Sequence, residues 1–477
     1  MHAVAHFNLG VIQNILGNSD QAVQSYRRSL QIQPHNELAE NNLGALLHAS
    51  RNYSEAIDCF RRALQRAPEF ALAWTNLGIA LQASKKVDEA QQCLVRAISL
   101  DPQSFSAHSN LALSLREQGR IDESLVSSRA AIAIRASLAE KIRAATLTPV
   151  VAASREEIQH WRERFASEMS ALLDESGTIQ DPMTEIGVCN FNLAYQPECN
   201  RTLQELAARL YWKHCPALHY QASHCSQARR ENPQRLKIGF ISRFMYRHSI
   251  GRTTRGLLAN MSRDRFEVTA IFVAPWVDDE ISRFIQASAD QSLVLSTSLD
   301  QARQEIAALE LDVLFYQDVG MDAFTYYLAF SRLAPVQCVS FGHPDTTGIP
   351  NMDYWVSCEN FETAQAPAHY SEKLFLLRNI GTLAYYYRPA IRSTPKDRSS
   401  FGLSVQKHIY LCPQSLFKIH PDFDAVFDGI LRGDGEAEIV LVEAQSVAWT
   451  ERLRARLLSS LQDNAQRVRF VPGMSPE

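Results

Sequence analysis

The chain has 477 residues, 46% of them hydrophobic and 21% charged, and a formal net charge of −4. That length is too great for one core and implies two to four domains. The near-neutral balance argues against a general nucleic-acid binder, and no apolar run approaches the length of a membrane span. Nine cysteines without regular pairing, together with the lack of a basic, apolar leader, fit core thiols in a reducing compartment. The expected location is therefore the cytoplasm, with neither nucleic acid nor membrane as a partner.

Self-comparison of the first third finds a period of 34 residues. Asn8, Asn42, Asn76 and Asn110 each precede a leucine, and Leu9, Leu43, Leu77 and Leu111 keep that register. Ala22, Ala56 and Ala90 recur on a second helix, with Ser124 in the fourth place, and Pro34, Pro68 and Pro102 close the units. This is the tetratricopeptide pattern, in which each helical hairpin buries its apolar face only by stacking. Small residues at the alanine positions let helices approach closely, and Tyr26, Phe60 and Leu94 are expected to pack the next hairpin. The expectation is an α-helical superhelix over residues 1–135, its fourth unit decaying after Ser124. Its four asparagines should form a ladder on the inner surface. A primary amide both donates and accepts, so such a ladder suits the backbone of an extended peptide. The bland alternative is that these residues tie one repeat to the next.

Residues 136–233 read as a helical connector and the start of the following region. Ser154, with Glu157 three residues later, marks a helix start. His214, Cys215, His219, His224 and Cys225 crowd together, but their spacing is no familiar zinc pattern, and no metal is expected. Residues 226–233 form a polar linker.

After Arg235, apolar runs of strand length alternate with stretches of helical spacing. This predicts a parallel sheet with helices on both faces, a Rossmann-like lobe over residues 234–400. A second series over residues 401–477 gives two βα units and one strand, a partial second lobe. Such folds place ligands at the carboxyl ends of their strands. The loop after the first strand holds His248 among Arg247, Arg252 and Arg255, a wall suited to an anion. Gln317 and Asp318 end another strand. Gly342, His343, Thr346 and Thr347 lie in GHPDTTG after a further one, offering close backbone approach and hydroxyl groups. Gln414, Ser415 and Lys418 follow the first strand of the second lobe, where Lys418 suits a diphosphate. Each segment alone fits a solvated turn as well.

Together these segments resemble the tetratricopeptide-repeat protein O-GlcNAc transferases and their bacterial relatives. The resemblance spans nearly the whole chain and rests on KIGFISRFMYRHSIG, APVQCVSFGHPDTTGIPNMDYWVSC, YSEKLFLL and LCPQSLFKIHP. It implies a GT-B fold, with two Rossmann-like lobes facing a cleft. It also implies inverting, metal-independent transfer of a sugar, with GlcNAc foremost, from a UDP-sugar to Ser or Thr of a protein. The UDP-sugar is a co-substrate, and no cofactor is implied. Position by position, His248 becomes the active-site histidine, Gly342 lies against the donor sugar, and Lys418 contacts the donor diphosphate beside Gln414 or Ser415. His343, Thr346 and Thr347 complete the expected donor site, and the four asparagines hold the peptide acceptor. Two departures stand out. Phe244 occupies the place, four residues before the histidine, where better-known members have an aspartate. The family also continues beyond the motifs present here with further nucleotide-binding elements, so the second lobe is expected to be incomplete. That leaves a second reading, a catalytically inactive peptide-binding scaffold.

Overall fold

The computed structural model describes residues 2–227, 234–378, 385–388 and 397–473. Most of the expected polar linker, residues 228–233, lies outside the described residues. Contacts divide the chain into two units, Met1–Ala144 and Ala145–Glu477.

The first unit stacks four helical hairpins: α1 (Ala3–Ile15) with α2 (Ser19–Ile32), α3 (Glu37–Ala49) with α4 (Tyr53–Arg66), α5 (Ala71–Ala83) with α6 (Val87–Leu100), and α7 (Phe105–Glu117) with α8 (Ile121–Ile134). The repeat works through close approach. Ala22, Ala56 and Ala90 are fully buried. A Cβ on Gly44 would stand 2.7 Å from the Phe60 ring, and one on Gly78 the same distance from Leu94. Phe60 and Leu94 thus seat against the glycine of their own hairpin, where the sequence suggested the next one. The fourth hairpin does not decay. Ser124, 1% exposed, donates its hydroxyl to the Ala112 carbonyl at 2.7 Å, so it fills the alanine position with its polar atom satisfied. A further helix, α9 (Leu138–Ala145), which the sequence assigned to the connector, closes this stack. Its buried Glu140 accepts from Ser109 at 2.7 Å and Ser128 at 2.9 Å and pairs with Arg143.

The second unit begins with α10 (Arg155–Leu173), α11 (Pro182–Glu185) and α12 (Arg201–His214), a 3-10 turn at Phe191–Tyr195 lying between the last two. Ser154 caps α10 as expected, its hydroxyl accepting the Glu157 N–H at 3.2 Å. Next come β1 (Leu236–Ser242), α13 (Ser249–Asn260), β2 (Phe266–Val273), α14 (Glu280–Ser288), β3 (Gln291–Leu295), α15 (Leu299–Ala307), β4 (Val313–Tyr316), α16 (Ala323–Ala329), β5 (Val336–Ser340), β6 (Tyr354–Cys358) and β7 (Lys373–Leu377). The strands form one parallel sheet in the order β3-β2-β1-β4-β5-β6-β7. Central strands are continuous apolar runs because both faces are covered; Val268, Ala270 and Ile271 are fully buried. Strand order reverses between β1 and β4, with Ile238 opposite Val313, and this switch point is where a doubly wound sheet opens a ligand crevice.

A second parallel sheet, β10-β9-β8, is built from β8 (His408–Cys412), α17 (Asp424–Gly433), β9 (Ala437–Val442), α18 (Val447–Leu461) and β10 (Val468–Val471). The segment before α10 is fastened to this lobe. Val151 packs in its core. Arg456, 6% exposed, pairs with Asp424 at 2.9 Å and donates to the Ala152 carbonyl at 2.7 Å. Among the described residues no helix is long and apolar enough to cross a membrane.

Candidate active site between the two lobes

At the switch point the loop after β1 is pinned from below by Asp318. This carboxylate accepts the Ser242 hydroxyl at 3.1 Å and the Arg243 N–H at 3.0 Å. It is wholly buried, and burial pushes its pKa up to about 7. The loop then delivers His248, which the sequence left inside a loop, to the N-cap of α13. There its Nδ1 accepts the Ile250 N–H at 3.2 Å. Burial first, and the nearby Arg252 second, lower the pKa of this imidazole. A neutral ring whose Nδ1 accepts carries its proton on Nε2, so His248 offers a donor to the site. The three arginines expected around it diverge. Arg247 pairs with Glu280 at 3.3 Å, Arg255 stacks on Tyr387 with its guanidinium 4.6 Å from the ring centre, and Arg252 stays exposed beside the histidine.

The loop after β5 lies directly on β4. A Cβ on Gly342 would fall 1.7 Å from the Gln317 carbonyl oxygen, so only glycine fits. His343, next in sequence, is 2% exposed. It stacks on Phe191 at 5.3 Å between ring centres, and neither ring nitrogen has a partner. Burial lowers its pKa to about 3. The ring is neutral and closed off here, contrary to the open donor contact expected of it. Thr346 and Thr347 also need correcting. Both are buried, and their hydroxyls donate to Glu372 at 2.7 and 2.5 Å. The Thr347 N–H adds a third bond to that carboxylate, at 2.8 Å. These threonines shape the loop instead of presenting hydroxyls to a ligand.

The second lobe meets this loop through an aromatic cluster. Phe417 packs against Tyr195 at 4.8 Å and Phe191 at 5.7 Å, while Trp449 meets its far edge at 6.1 Å. Lys418 follows on the same 3-10 turn, exposed, its ammonium 5.6 Å from the Tyr195 ring centre and 6.0 Å from that of Phe417. No carboxylate among the described residues pairs with it. Gln414 and Ser415 precede it, both exposed. The 191–195 segment, the β5 loop and the β8 loop therefore converge, with one cation left available to an anionic group.

Residues 193–385 match glycosyl transferase family 41, and residues 3–36 and 47–115 match tetratricopeptide repeats. This is a tetratricopeptide-repeat chain with a glycosyl transferase family 41 region. A curated relative, a probable UDP-N-acetylglucosamine–peptide N-acetylglucosaminyltransferase SEC from Arabidopsis thaliana, is 26% identical over 205 residues, 42% of this chain. The matched part spans only 21% of that relative's length. Among solved structures, a mutant of Thermobaculum terrenum O-GlcNAc transferase superposes with a TM-score of 0.63 at 20% identity. The superposition covers 92% of this chain and 74% of that one, and it supports the fold, repeats followed by GT-B-like α/β lobes.

In the repeats that precede the family 41 region, the asparagines differ from one another. Asn76 donates to Asn41 at 2.9 Å, and Asn110 donates to the Ser106 carbonyl at 2.8 Å. Asn42 reaches the Tyr26 hydroxyl at 3.5 Å, while Asn8 is exposed. Two of the four amides, Asn42 and Asn76, thus spend a donor on a neighbouring helix, as the bland alternative supposed, while Asn110 makes an exposed bond within its own helix. The crowded His and Cys residues do not converge. His214, His219 and His224 each meet a different backbone carbonyl, at 2.9, 2.8 and 3.2 Å. No group of three or more His, Cys, Asp or Glu among the described residues is placed to hold a metal. Three participants were assigned no role from the sequence: Glu372, although it lies within YSEKLFLL, and Phe191 and Tyr195, whose rings pack against Phe417.

Proposed function

We propose that this chain transfers a sugar, GlcNAc foremost, from a UDP-sugar to Ser or Thr of an extended protein acceptor, with inversion and without a metal. The observation that carries the reading is the meeting of the β5 loop of a family 41 lobe with the unpaired Lys418 of the facing lobe, across Phe191 and Tyr195. On this reading the donor sugar lies along Gly342, and Lys418 draws the charge that develops on the departing diphosphate. The acceptor oxygen bonds to the anomeric carbon as the bond from that carbon to the diphosphate breaks, and the hydroxyl proton passes to the diphosphate or to water. Orientation and charge stabilisation carry most of the rate, since the donor is already activated. With Nδ1 committed to the Ile250 N–H, His248 acts as a hydrogen-bond donor to a reactant, not as the general base. The acceptor is held along the repeats, where Asn8 is exposed.

The test is mass spectrometry of a Ser/Thr-rich peptide incubated with the chain and UDP-GlcNAc. A gain of one N-acetylhexosamine per site is expected, falling about 100-fold or more in Lys418→Ala. His369→Ala, an exposed histidine outside the cluster, should change it less than about threefold. Equal losses in the two variants would overturn the role of Lys418.

A further inference from the structure

The loop that delivers His248 also carries a ring against it. The half-buried Phe244 lies with its ring centre 4.7 Å from that of the imidazole and 31° between the planes, close to an offset stack. Phe244 is itself built into place. Its N–H donates to the Ser242 hydroxyl at 2.8 Å, and that hydroxyl donates to the buried Asp318 carboxylate at 3.1 Å. Its carbonyl accepts the Tyr246 N–H at 2.8 Å.

The imidazole has no acid partner among the described residues. Asp318, Asp322, Asp279 and Glu280 all bond to this loop, and each is taken by another of its groups. Asp318 holds Ser242 and the Arg243 N–H, Asp322 pairs with the Arg243 guanidinium at 3.1 Å, Asp279 accepts the Arg247 N–H, and Glu280 pairs with the Arg247 guanidinium. The charged group that bears on the ring is Arg252 in the first turn of α13, which, like burial, disfavours an imidazolium. The Tyr246 phenol ring, 5.9 Å away between centres, is the other titratable neighbour.

The ring is therefore held by two contacts of different kinds. The Ile250 N–H meets Nδ1 at 3.2 Å, a bond that a ring turned over would lose, and this puts the proton on Nε2. One hydrogen bond at an edge still lets a ring swing about it; a stack on the face fixes the plane. Nε2 meets no partner among the described residues and keeps contact with solvent. An aliphatic side chain would fill the Phe244 position as well, so packing alone does not call for a ring there.

We propose that Phe244 is the positioning residue of this site, holding the His248 imidazole by ring stacking in place of an acid partner, so that Nε2–H is presented to a reactant. This rests on the glycosyltransferase reading above and concerns only how His248 serves it. The histidine then contributes through orientation, without taking up a charge.

The experiment applies two readouts to the full chain and to Phe244→Leu, Phe244→Tyr and Phe244→Asp. Long-range proton–nitrogen spectra of the histidine rings follow His248 through a pH titration, its signals assigned by their loss in His248→Gln. Transfer from UDP-GlcNAc to a Ser/Thr-rich peptide is measured against donor concentration. Phe244→Leu keeps an apolar side chain and removes the stack, so kcat should fall about tenfold with donor KM within about twofold. Phe244→Tyr, which keeps the ring, should recover most of that loss. Phe244→Asp supplies the missing acid and should move the His248 titration to higher pH. A wild-type kcat in Phe244→Leu, or a His248 titration that Phe244→Asp leaves in place, would overturn the proposal. If wild type transfers no sugar, the glycosyltransferase reading falls and the role of Phe244 with it, whereas an unmoved titration in an active enzyme removes Phe244 alone. A circular-dichroism melt of each variant separates lost orientation from lost fold.

Discussion

The buried carboxylates of the repeats and several buried polar groups at the strand ends of the α/β unit are treated differently. In the repeats the buried carboxylates are closed within the stack: Glu140 takes two serine hydroxyls and an arginine, and Glu40 accepts from Nε and one Nη of Arg62 at 2.8 and 2.9 Å. At the ends of β4 and β5, Gln317 Nε2, Asp318 Oδ1 and both nitrogens of His343 are buried with no partner. A stack of similar hairpins can satisfy such carboxylates from neighbouring helices, although the Ser114 hydroxyl of α7 is buried there without a partner. A ligand site leaves some of its polar groups to the ligand, although His343, closed off beneath Phe191, is not among those a ligand reaches. The contrast separates a part of the molecule that is complete by itself from one organised around something else.

The sharpest way to break this contrast is through its glycines. Gly342→Ala sets a Cβ against the backbone oxygen of Gln317, which has no flexible end to move, and should cost about 3 kcal/mol or more. Gly78→Ala meets Leu94 Cγ at 2.7 Å and the Ala90 carbonyl oxygen at 3.1 Å, and alanine gains roughly 1 kcal/mol of helix propensity there. Its net cost should stay below about 1.5 kcal/mol. Urea unfolding measures both, and equal costs would show that the β5 loop is no tighter than a repeat.

A smaller effect sharpens the same point through pH. The His343 ring titrates at about 3 in the folded chain, below its ordinary 6.5. As pH falls below 6.5 the unfolded chain takes up the proton first, so folded stability is lost at about 1.4 kcal/mol per pH unit, continuing down towards pH 3. His343→Phe keeps the stacking on Phe191 and removes two unpartnered nitrogens, so its stability at pH 7 should lie within about 1 kcal/mol of wild type. The difference between the two should then grow in favour of the variant on acidification. The carboxyls of Asp318 and Asp345, raised to about 7 and about 6, slope the other way, but they are common to both proteins and cancel in the comparison. A difference that stays flat from pH 7 to pH 5 would mean that the ring is reached by solvent or paired.

What the sequence made legible follows from how far each signal reaches along the chain. The 34-residue period and the alternation of strand and helix are local, and they carried the repeats, the parallel strands and the Ser154 cap. Lys418 and Gly342 were legible through motif context, although the reason for glycine at 342, the Gln317 carbonyl, depends on how β4 and β5 pair. The threonines of GHPDTTG were misread because their partner, Glu372, lies 25 residues further on, on the approach to β7. His343 was misread for the same kind of reason, since Phe191, which covers it, comes from a segment before the sheet begins. The fourth unit was expected to decay after Ser124, whereas the serine sits in the alanine place with its hydroxyl taken by the Ala112 carbonyl of the preceding helix.

Whether this cleft accepts a nucleotide diphosphate decides the assignment of Lys418, and titration of the chain with UDP by isothermal calorimetry asks that directly. A saturable, one-to-one heat that disappears in Lys418→Ala, with the variant's melting temperature unchanged, is the predicted result. No measurable heat at millimolar UDP, or the same affinity in wild type and Lys418→Ala, would contradict it.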